Sequence, residues 1–155
     1  MPGRVEDRLR SLGIELPVPA PPAANYVPFV VSGKIVYVAG QLPMESGKVR
    51  YMGKAGAAVS LEDAQAAARL CAINLLAQAK AASGGDLDRI ARCVKLGGFV
   101  NAAPDFTDHP KVLNGASDLI GEVLGEAGRH ARFAAGAGSL PFDATVEVDA
   151  IFELD

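Results

Sequence analysis

The longest stretch with helical periodicity runs from Ser60 to the glycine pair at 84–85. Its apolar residues recur every three or four positions, which places them on one side of a helix. They are Leu61, Ala64, Ala68, Cys71, Leu75 and Ala79. Ser60 followed by Asp63 is typical of a helix N-terminus, and the paired glycines are typical of a helix end. The pattern predicts one long amphipathic helix.

A second helix is predicted within DHPKVLNGASDLIGEVLGEAG, residues 108–128. Pro110 falls in its first turn, where proline is tolerated, and Gly128 lies just beyond the expected end.

The N-terminal region combines a short helix with a proline-rich segment. Val5, Leu9 and Leu12 are spaced by four and three residues, so a short helix is predicted that stops at Gly13. Five prolines fall within residues 17–28. Because proline lacks the backbone N–H that regular structure requires, this segment is expected to be an extended lead-in.

Alternating and β-branched stretches predict the strands. FVVSGKIVYVAGQLP reads as two strands joined by a hairpin at 32–34, and GKVRYMG is a candidate for another short strand. Three longer strands are expected around residues 93–101, within 129–139 and within 145–154. The order β-β-(β)-α-β-α-β-β predicts one α+β domain, in which both long helices pack on one face of a single mixed sheet.

Side-chain alternation assigns the faces of the last two strands. In the final strand, Val146 begins the apolar set expected under the helices, and Glu147 points to the opposite face. In the preceding strand we expect Phe133 under the helices, with Arg132 and the small residues Ala134 and Gly136 on the uncovered face. A small-residue face admits another backbone closely. A second subunit is therefore expected there, with Arg132 and Glu147 near the boundary.

Charge and composition exclude several classes of protein. The chain has 155 residues with 15 basic and 18 acidic side chains, a net charge of −3, and no Lys/Arg cluster. Nucleic acid is therefore not an expected partner. No stretch approaches 18 uninterrupted apolar residues and no signal sequence is evident, so a cytoplasmic location without a membrane partner is expected. Cys71 and Cys93 match neither a disulfide framework nor a metal-ligand spacing.

Four blocks of the sequence resemble the RidA family, also called YjgF/YER057c/UK114. They are NYVPFVVSGKIVYVAGQLP, VKLGGFVNAAPDF, HARFAAGAGSLP and VEVDAIF, in the family's order and near its spacing. The resemblance implies a family domain over 26–155 and an N-terminal extension over 1–25, as in a longer-chain subgroup. It also implies a chorismate-mutase-like fold and a homotrimer with clefts between subunits.

The same resemblance implies an activity and a site. Archetypal members hydrolyse reactive 2-imino acids and enamines to 2-keto acids and ammonia, without a metal or organic cofactor. Carried over onto this sequence, Arg132 binds the substrate carboxylate and Glu147 places the hydrolytic water. Tyr26 lines the pocket, Gly40 offers backbone groups, and Asn114 lies near the substrate.

The sequence departs from the archetype directly after the arginine. A Ser-Cys pair stands there in archetypal members, whereas this chain has Phe133 and Ala134. The family's cysteine is thus absent, and Cys71 and Cys93 do not replace it. The alternative is a non-catalytic module that binds small carboxylates or another protein on the same trimeric fold.

Each site residue also has a structural interpretation. Arg132 is alternatively an interface arginine paired with a neighbour's acidic residue, and Glu147 an exposed strand residue. Tyr26 is alternatively a packing residue, Asn114 a solvated helix residue, and Gly40 a backbone requirement for a turn. His109 and His130 together suggest acid–base cleavage of RNA, but His109 at a helix start is explained by capping, and the acidic composition disfavours RNA.

Overall fold

The computed structural model describes residues 3–19 and 24–155. Its helices are α1 (Arg4–Ser11), α2 (Leu61–Ala82) and α3 (His109–Leu124). Its strands are β1 (Phe29–Ser32), β2 (Ile35–Gln41), β3 (Met44–Glu45), β4 (Lys48–Val49), β5 (Ile90–Asn101), β6 (Ala131–Ala137) and β7 (Val146–Leu154). The observed order contains every predicted element, and β3 is an additional short strand that the sequence did not predict.

Five of these strands form one mixed sheet in the order β1-β2-β7-β5-β6. Only β5 and β6 run parallel, and α3 makes the crossover between them. The candidate strand in GKVRYMG is present as β4, which pairs with β3 in a separate two-stranded sheet. Because α2 and α3 pack on one face of the main sheet, the predicted α+β architecture is confirmed.

Helix α2 begins as the sequence predicts. The Ser60 hydroxyl oxygen accepts a hydrogen bond from the backbone N–H of Asp63 at 3.1 Å, which satisfies one of the free donors of the first turn. Along the predicted apolar side, every residue from Ala64 to Ala79 is fully buried. Within residues 3–19 and 24–155, no helix combines the length and apolar character that a membrane crossing requires.

Helix α3 ends earlier than expected. Gly125 adopts φ = +63°, in the left-handed region that glycine enters without strain, and so it stops the α-helix after Leu124. Residues Gly125–Gly128 continue as a single 3-10 turn. Gly128 therefore ends this turn rather than the helix itself.

The faces of β7 are as predicted. Val146, Val148, Ala150 and Phe152 are all buried beneath the helices. Glu147 and Asp149 lie on the opposite face, which the helices leave open, and both are more exposed than their neighbours.

The faces of β6 are the reverse of those predicted. In the register of the sheet, Arg132 lies beside Leu96, which is fully buried under the helices, whereas Phe133 lies beside Gly97 on the open face. The small residue Gly136 of β6 leaves room for α3, because the His109 ring is only 2.7 Å from where a Cβ on Gly136 would be. Arg132 thus lies on the helix-covered face, opposite to Glu147.

The N-terminal helix packs against the rest of the domain. Val5 and Leu9 are buried in the main core. The Asp88 carboxylate accepts hydrogen bonds from the backbone N–H groups of Arg4 and Val5, both at 2.9 Å, and these bonds lower the pKa of Asp88. Residues 20–23 of the proline-rich lead-in lie outside the described residues. The division between 1–25 and 26–155 stays a prediction.

Two glycines of α3 offer a matched test of helix packing. A Cβ at Gly115 would collide with the backbone carbonyl of Gln65 in α2, whereas a Cβ at Gly121 would enter open space. We expect Gly115→Ala to lower the free energy of unfolding by about 1–3 kcal/mol through overpacking. Gly121→Ala should raise it by about 0.5–1 kcal/mol, since alanine favours the helix. Urea unfolding of both variants is the measurement, and an equal effect would contradict the close approach.

Candidate functional site

Helix α3 surrounds the guanidinium of Arg132 with hydrogen-bond acceptors. Nη1 donates to Oδ1 of Asn114 at 2.9 Å and to Oγ of Ser117 at 3.1 Å. Nη2 donates to the backbone carbonyl of Pro110 at 3.3 Å. Asn114 and Ser117 are three residues apart and therefore share one side of the helix. A half-exposed arginine is thus held in one orientation by a single helix.

This arrangement leaves part of the guanidinium unoccupied. An arginine has five N–H donors, and three of them are used by α3. The other two, one on Nε and one on Nη2, meet no acceptor in residues 3–19 and 24–155. These atoms share one edge of the planar group, which suits both oxygens of one carboxylate. No acidic side chain of the described chain lies within 4.0 Å to occupy that edge.

His130 extends the hydrogen-bonded cluster behind Ser117. Its Nδ1 lies 2.6 Å from the Gly128 carbonyl oxygen, and its Nε2 lies 2.9 Å from the Ser117 hydroxyl oxygen. Because a carbonyl only accepts, a neutral imidazole here carries its proton on Nδ1. Nε2 then accepts from the Ser117 hydroxyl, whose oxygen still accepts from Arg132. Each group therefore donates to the next one: Arg132 to Ser117, Ser117 to His130, and His130 to the carbonyl of Gly128.

Glu147 lies on the open face of the sheet, against a bulge in β2. Val38 pairs with Ala150 and Gln41 pairs with Val148, so residues 39 and 40 together face one residue of β7. A Cβ at Gly40 would collide with the carboxylate of Glu147. Glycine is therefore required at position 40 for this side chain to lie flat over the backbone.

Asp149 also lies over a glycine, but on the neighbouring strand β5 rather than on β2. A Cβ at Gly97 in β5 would collide with its carboxylate and with the ring of Phe133. Burial raises the pKa of Glu147, and the nearby charge of Asp149 raises it further. Burial also raises the pKa of Asp149, against smaller opposing effects of a backbone hydrogen bond at Gly97 and of Lys95.

These carboxylates line a cavity of about 190 Å³ on the open face. Its lining residues are Gly40, Gly97, Phe99, Phe133, Glu147 and Asp149. Phe99 and Phe133 meet edge to face, with ring centroids 5.4 Å apart, and both rings remain partly exposed. The cavity thus combines acidic groups with an exposed aromatic wall.

Comparison with known families identifies the chain. The family model described as "YjgF/chorismate_mutase-like, putative endoribonuclease" matches residues 6–154. The protein belongs to this YjgF family. The resemblance to RidA proteins is therefore confirmed at the level of the family.

Several relatives match this YjgF-family chain over nearly its whole length. Protein TCP17 of Trypanosoma cruzi is 52% identical over 154 residues, which cover 99% of this chain and 96% of that protein. The crystal structure of Atu1372 from Agrobacterium tumefaciens is 56% identical, with coverage of 98% and 93% and a TM-score of 0.93. A "putative endoribonuclease" from Shewanella oneidensis is 39% identical, with coverage of 97% and 99% and the same TM-score of 0.93.

The structure assembles the predicted site residues into two groups rather than one. Arg132 and Asn114 are hydrogen-bonded to each other on the helix side of β6. Gly40 and Glu147 are in contact on the open face of β2 and β7. Tyr26 is exposed and precedes Pro28, whose carbonyl accepts from Ala39 beside the bulge, so its chain segment runs near the second group.

Sequence reasoning missed Ser117, His130 and Asp149. The spacing of Ser117 from Asn114 could have revealed it, because residues three apart on a helix are neighbours. The sequence suggests His130 only as half of an RNA-cleaving pair, although its position two residues ahead of Arg132 favours the same side of the chain. Asp149 lies two residues after Glu147 on the same strand, so alternation along the strand places it on the same face.

The cysteines and the potential metal ligands of the described residues give little support for thiol or metal chemistry. Cys71 and Cys93 are free and buried. Burial raises the pKa of Cys71 well above its ordinary value and that of Cys93 to about 12, so neither thiol ionises readily. Across residues 3–19 and 24–155, no group of three or more His, Cys, Asp or Glu side chains could hold a metal ion.

The raised pKa of Asp149 predicts the direction in which the free energy of unfolding changes with pH. A carboxyl whose folded pKa exceeds its unfolded value stabilises the fold when protonated, and that contribution is lost as the pH rises through the folded pKa. Asp149→Asn should therefore leave the free energy of unfolding nearly unchanged below about pH 4, the ordinary carboxyl range, and raise it progressively above that. Thermal unfolding from pH 3 to pH 8 is the measurement. Asp118→Asn on the exposed side of α3 is the matched control, and a variant less stable than wild type at neutral pH would contradict the prediction.

Proposed function

We propose that this chain hydrolyses reactive 2-imino acids and related enamines to 2-keto acids and ammonia. The observation that carries the proposal is the guanidinium of Arg132, which α3 holds through Nη1 and Nη2 while Nε and one donor of Nη2 stay unused. That edge matches the carboxylate shared by all 2-imino acids. Holding the carboxylate there positions the C2 carbon for attack by water.

We further propose that the active form is a cytoplasmic homotrimer whose sites lie between subunits. Within one chain, Arg132 and Glu147 occupy opposite faces of the sheet, so they reach one substrate only if different subunits supply them. The open face is also poorly suited to water, because Val30, Tyr37, Phe99 and Phe133 are all at least 39% exposed. Covering this face with neighbouring copies removes that apolar surface from solvent.

The chemistry assigned to Glu147 follows from its surroundings. A general base works best when its pKa lies near the operating pH, and burial moves Glu147 in that direction. In the proposed reaction, water adds to C2 of the protonated imine while Glu147 accepts a proton from it. Glu147 returns that proton to the nitrogen of the carbinolamine and then accepts the proton of its hydroxyl group as the C–N bond breaks. The products are the 2-keto acid and ammonia, and the remaining proton passes from Glu147 to ammonia or water. The backbone beside Gly40 and the ring of Tyr26 are proposed to line the cleft, and Asn114 to hold Arg132.

The alternative is a carboxylate-binding module without turnover. It shares the Arg132 site and is favoured by Ala134, which stands where archetypal members have cysteine. Turnover of a freshly generated imine separates the two proposals.

An RNA-cleaving histidine pair finds no support in one chain. The His109 ring lies beside Gly136, while His130 immediately precedes β6 at Ala131. Six strand steps at about 3.3 Å each separate the backbones of His130 and Gly136 by about 20 Å, which is too far for concerted acid–base chemistry by the two histidines.

Replacement of Arg132 tests the carboxylate anchor. Arg132→Lys should fail nearly as badly as Arg132→Ala, because one ammonium does not present the planar fork that binds both oxygens. We expect kcat/KM to fall by about 30-fold to several thousand-fold, equivalent to about 2–5 kcal/mol. The assay generates 2-iminopropanoate or 2-iminobutanoate in situ with an amino-acid oxidase and follows its decay. Equal activity in all three proteins would show that Arg132 is structural.

Mixing two inactive variants tests the shared site. Arg132→Ala and Glu147→Gln subunits should each form inactive trimers. If adjacent subunits supply the two groups, random mixed trimers from a one-to-one mixture should recover about a quarter of wild-type activity. Each interface needs an intact arginine from one subunit and an intact glutamate from its neighbour, and both are present in about one interface in four. Light scattering reports the trimer, and refolding each variant alone is the control. Mixed trimers without recovered activity would contradict a site between subunits.

A further inference from the structure

We propose that Ser117 and His130 are positioning residues that lock the guanidinium of Arg132 in its ligand-binding orientation. Neither residue was assigned a site role by the family resemblance. The inference rests on the proposed function, because it explains how the same arginine is prepared for a carboxylate. It also makes a separate claim about the mobility of Arg132 that holds whatever the ligand.

The need for such a device follows from the exposure of Arg132. A long side chain at a partly exposed edge strand normally samples several rotamers, and binding must then immobilise it. Here Nη1 meets both Asn114 and Ser117, and Nη2 meets the Pro110 carbonyl. Two contacts on Nη1 oppose rotation about its bond to Cζ, so the free edge keeps one direction before any ligand arrives.

Ser117 performs this task only when its hydroxyl hydrogen points away from Arg132. A helical serine otherwise tends to turn that hydrogen toward the carbonyl four residues earlier. The Nε2 atom of His130, 2.9 Å from Oγ, gives the hydrogen an acceptor on the opposite side. The Ser117 oxygen is then available to accept from Nη1 at 3.1 Å.

His130 is itself fixed by the turn that follows α3. The Gly128 carbonyl, 2.6 Å from Nδ1, selects the tautomer that leaves a lone pair on Nε2. Gly128 is buried, and a Cβ there would collide with the Ile120 carbonyl, so this turn packs tightly against α3. The relay therefore links Arg132 to α3 through Ser117 and to the tightly packed turn after α3 through His130, which makes it a device for orientation.

The direct test measures the mobility of the Arg132 guanidinium by nitrogen NMR of full-length protein labelled at arginine. Arg132→Lys assigns the resonances by removing them. In wild type, hindered rotation should give separate Nη1 and Nη2 signals. In Ser117→Ala and in His130→Leu, rotation should speed up and the two signals should merge. His130→Gln, whose amide oxygen can accept from Ser117, should restore the separation.

Two controls keep this result interpretable. Ser117→Ala favours the helix by propensity, so loss of the fold is not expected, and a thermal melt checks this. Ser11→Ala removes the hydroxyl of an exposed helical serine in α1 and should leave the Arg132 signals unchanged. Signals that stay separate in both His130→Leu and Ser117→Ala would overturn the relay.

A kinetic readout distinguishes positioning from a general loss of structure. Ser117→Ala and His130→Leu should raise KM for the imine by roughly 3- to 10-fold, the equivalent of one neutral hydrogen bond, with kcat nearly unchanged. His130→Gln should recover most of the affinity. If wild type shows no turnover, the proposed hydrolysis fails but the NMR result still decides the relay. If wild type turns over and KM is unaffected in both variants, positioning is contradicted.

Discussion

The close approach of α3 to strands β5 and β6 is the constraint on which the rest of the arrangement depends. Gly98 leaves room for Leu113, Gly136 leaves room for His109, and Gly115 brings the same helix against the backbone of α2. With no side chains to separate them, helix and edge strand come near enough for Arg132 to reach acceptors on α3.

The sheet keeps opposite charges apart. Arg132 lies on the helix side, beside the fully buried Leu96, whereas Glu147 and Asp149 lie on the open side. A carboxylate placed beside Arg132 within the same subunit would occupy the guanidinium edge and compete with any incoming anion. Because the sheet separates them, Arg132 and the two acidic side chains do not pair with each other within one subunit, and each stays available to other groups.

Much of the fold could be predicted from the sequence because it depends on local signals. The stripe of α2, the Ser60 cap and the alternation of β7 each fix one element without reference to distant residues. The orientation of β6 could not be predicted in this way. Apart from Arg132 and Phe133, its residues are small and apolar on both faces, so alternation is ambiguous, and only the register against Gly97 and Leu96 decides which side carries Arg132.

The sequence predicts which residues belong to the candidate site, but it does not predict which of them lie together. Family resemblance points to Arg132, Glu147, Tyr26 and Gly40 within the four blocks, and to Asn114 in the helix between them. Which of these meet depends on pairings between strands distant in sequence, which the residues themselves do not encode locally. The relay through Ser117 and His130 was hidden for a further reason, since a serine and a histidine acquire their roles only from the geometry of their hydrogen bonds.

The contact between Gly40 and Glu147 limits how these two positions can change among related proteins. The acidic chain occupies the volume that any side chain at position 40 would need, so the two positions behave as a single unit under mutation. A relative that gains a side chain at the first position must shorten or redirect the second. Presence of the glutamate alone is therefore an incomplete criterion for transferring a function between members, and the pair should be inspected together.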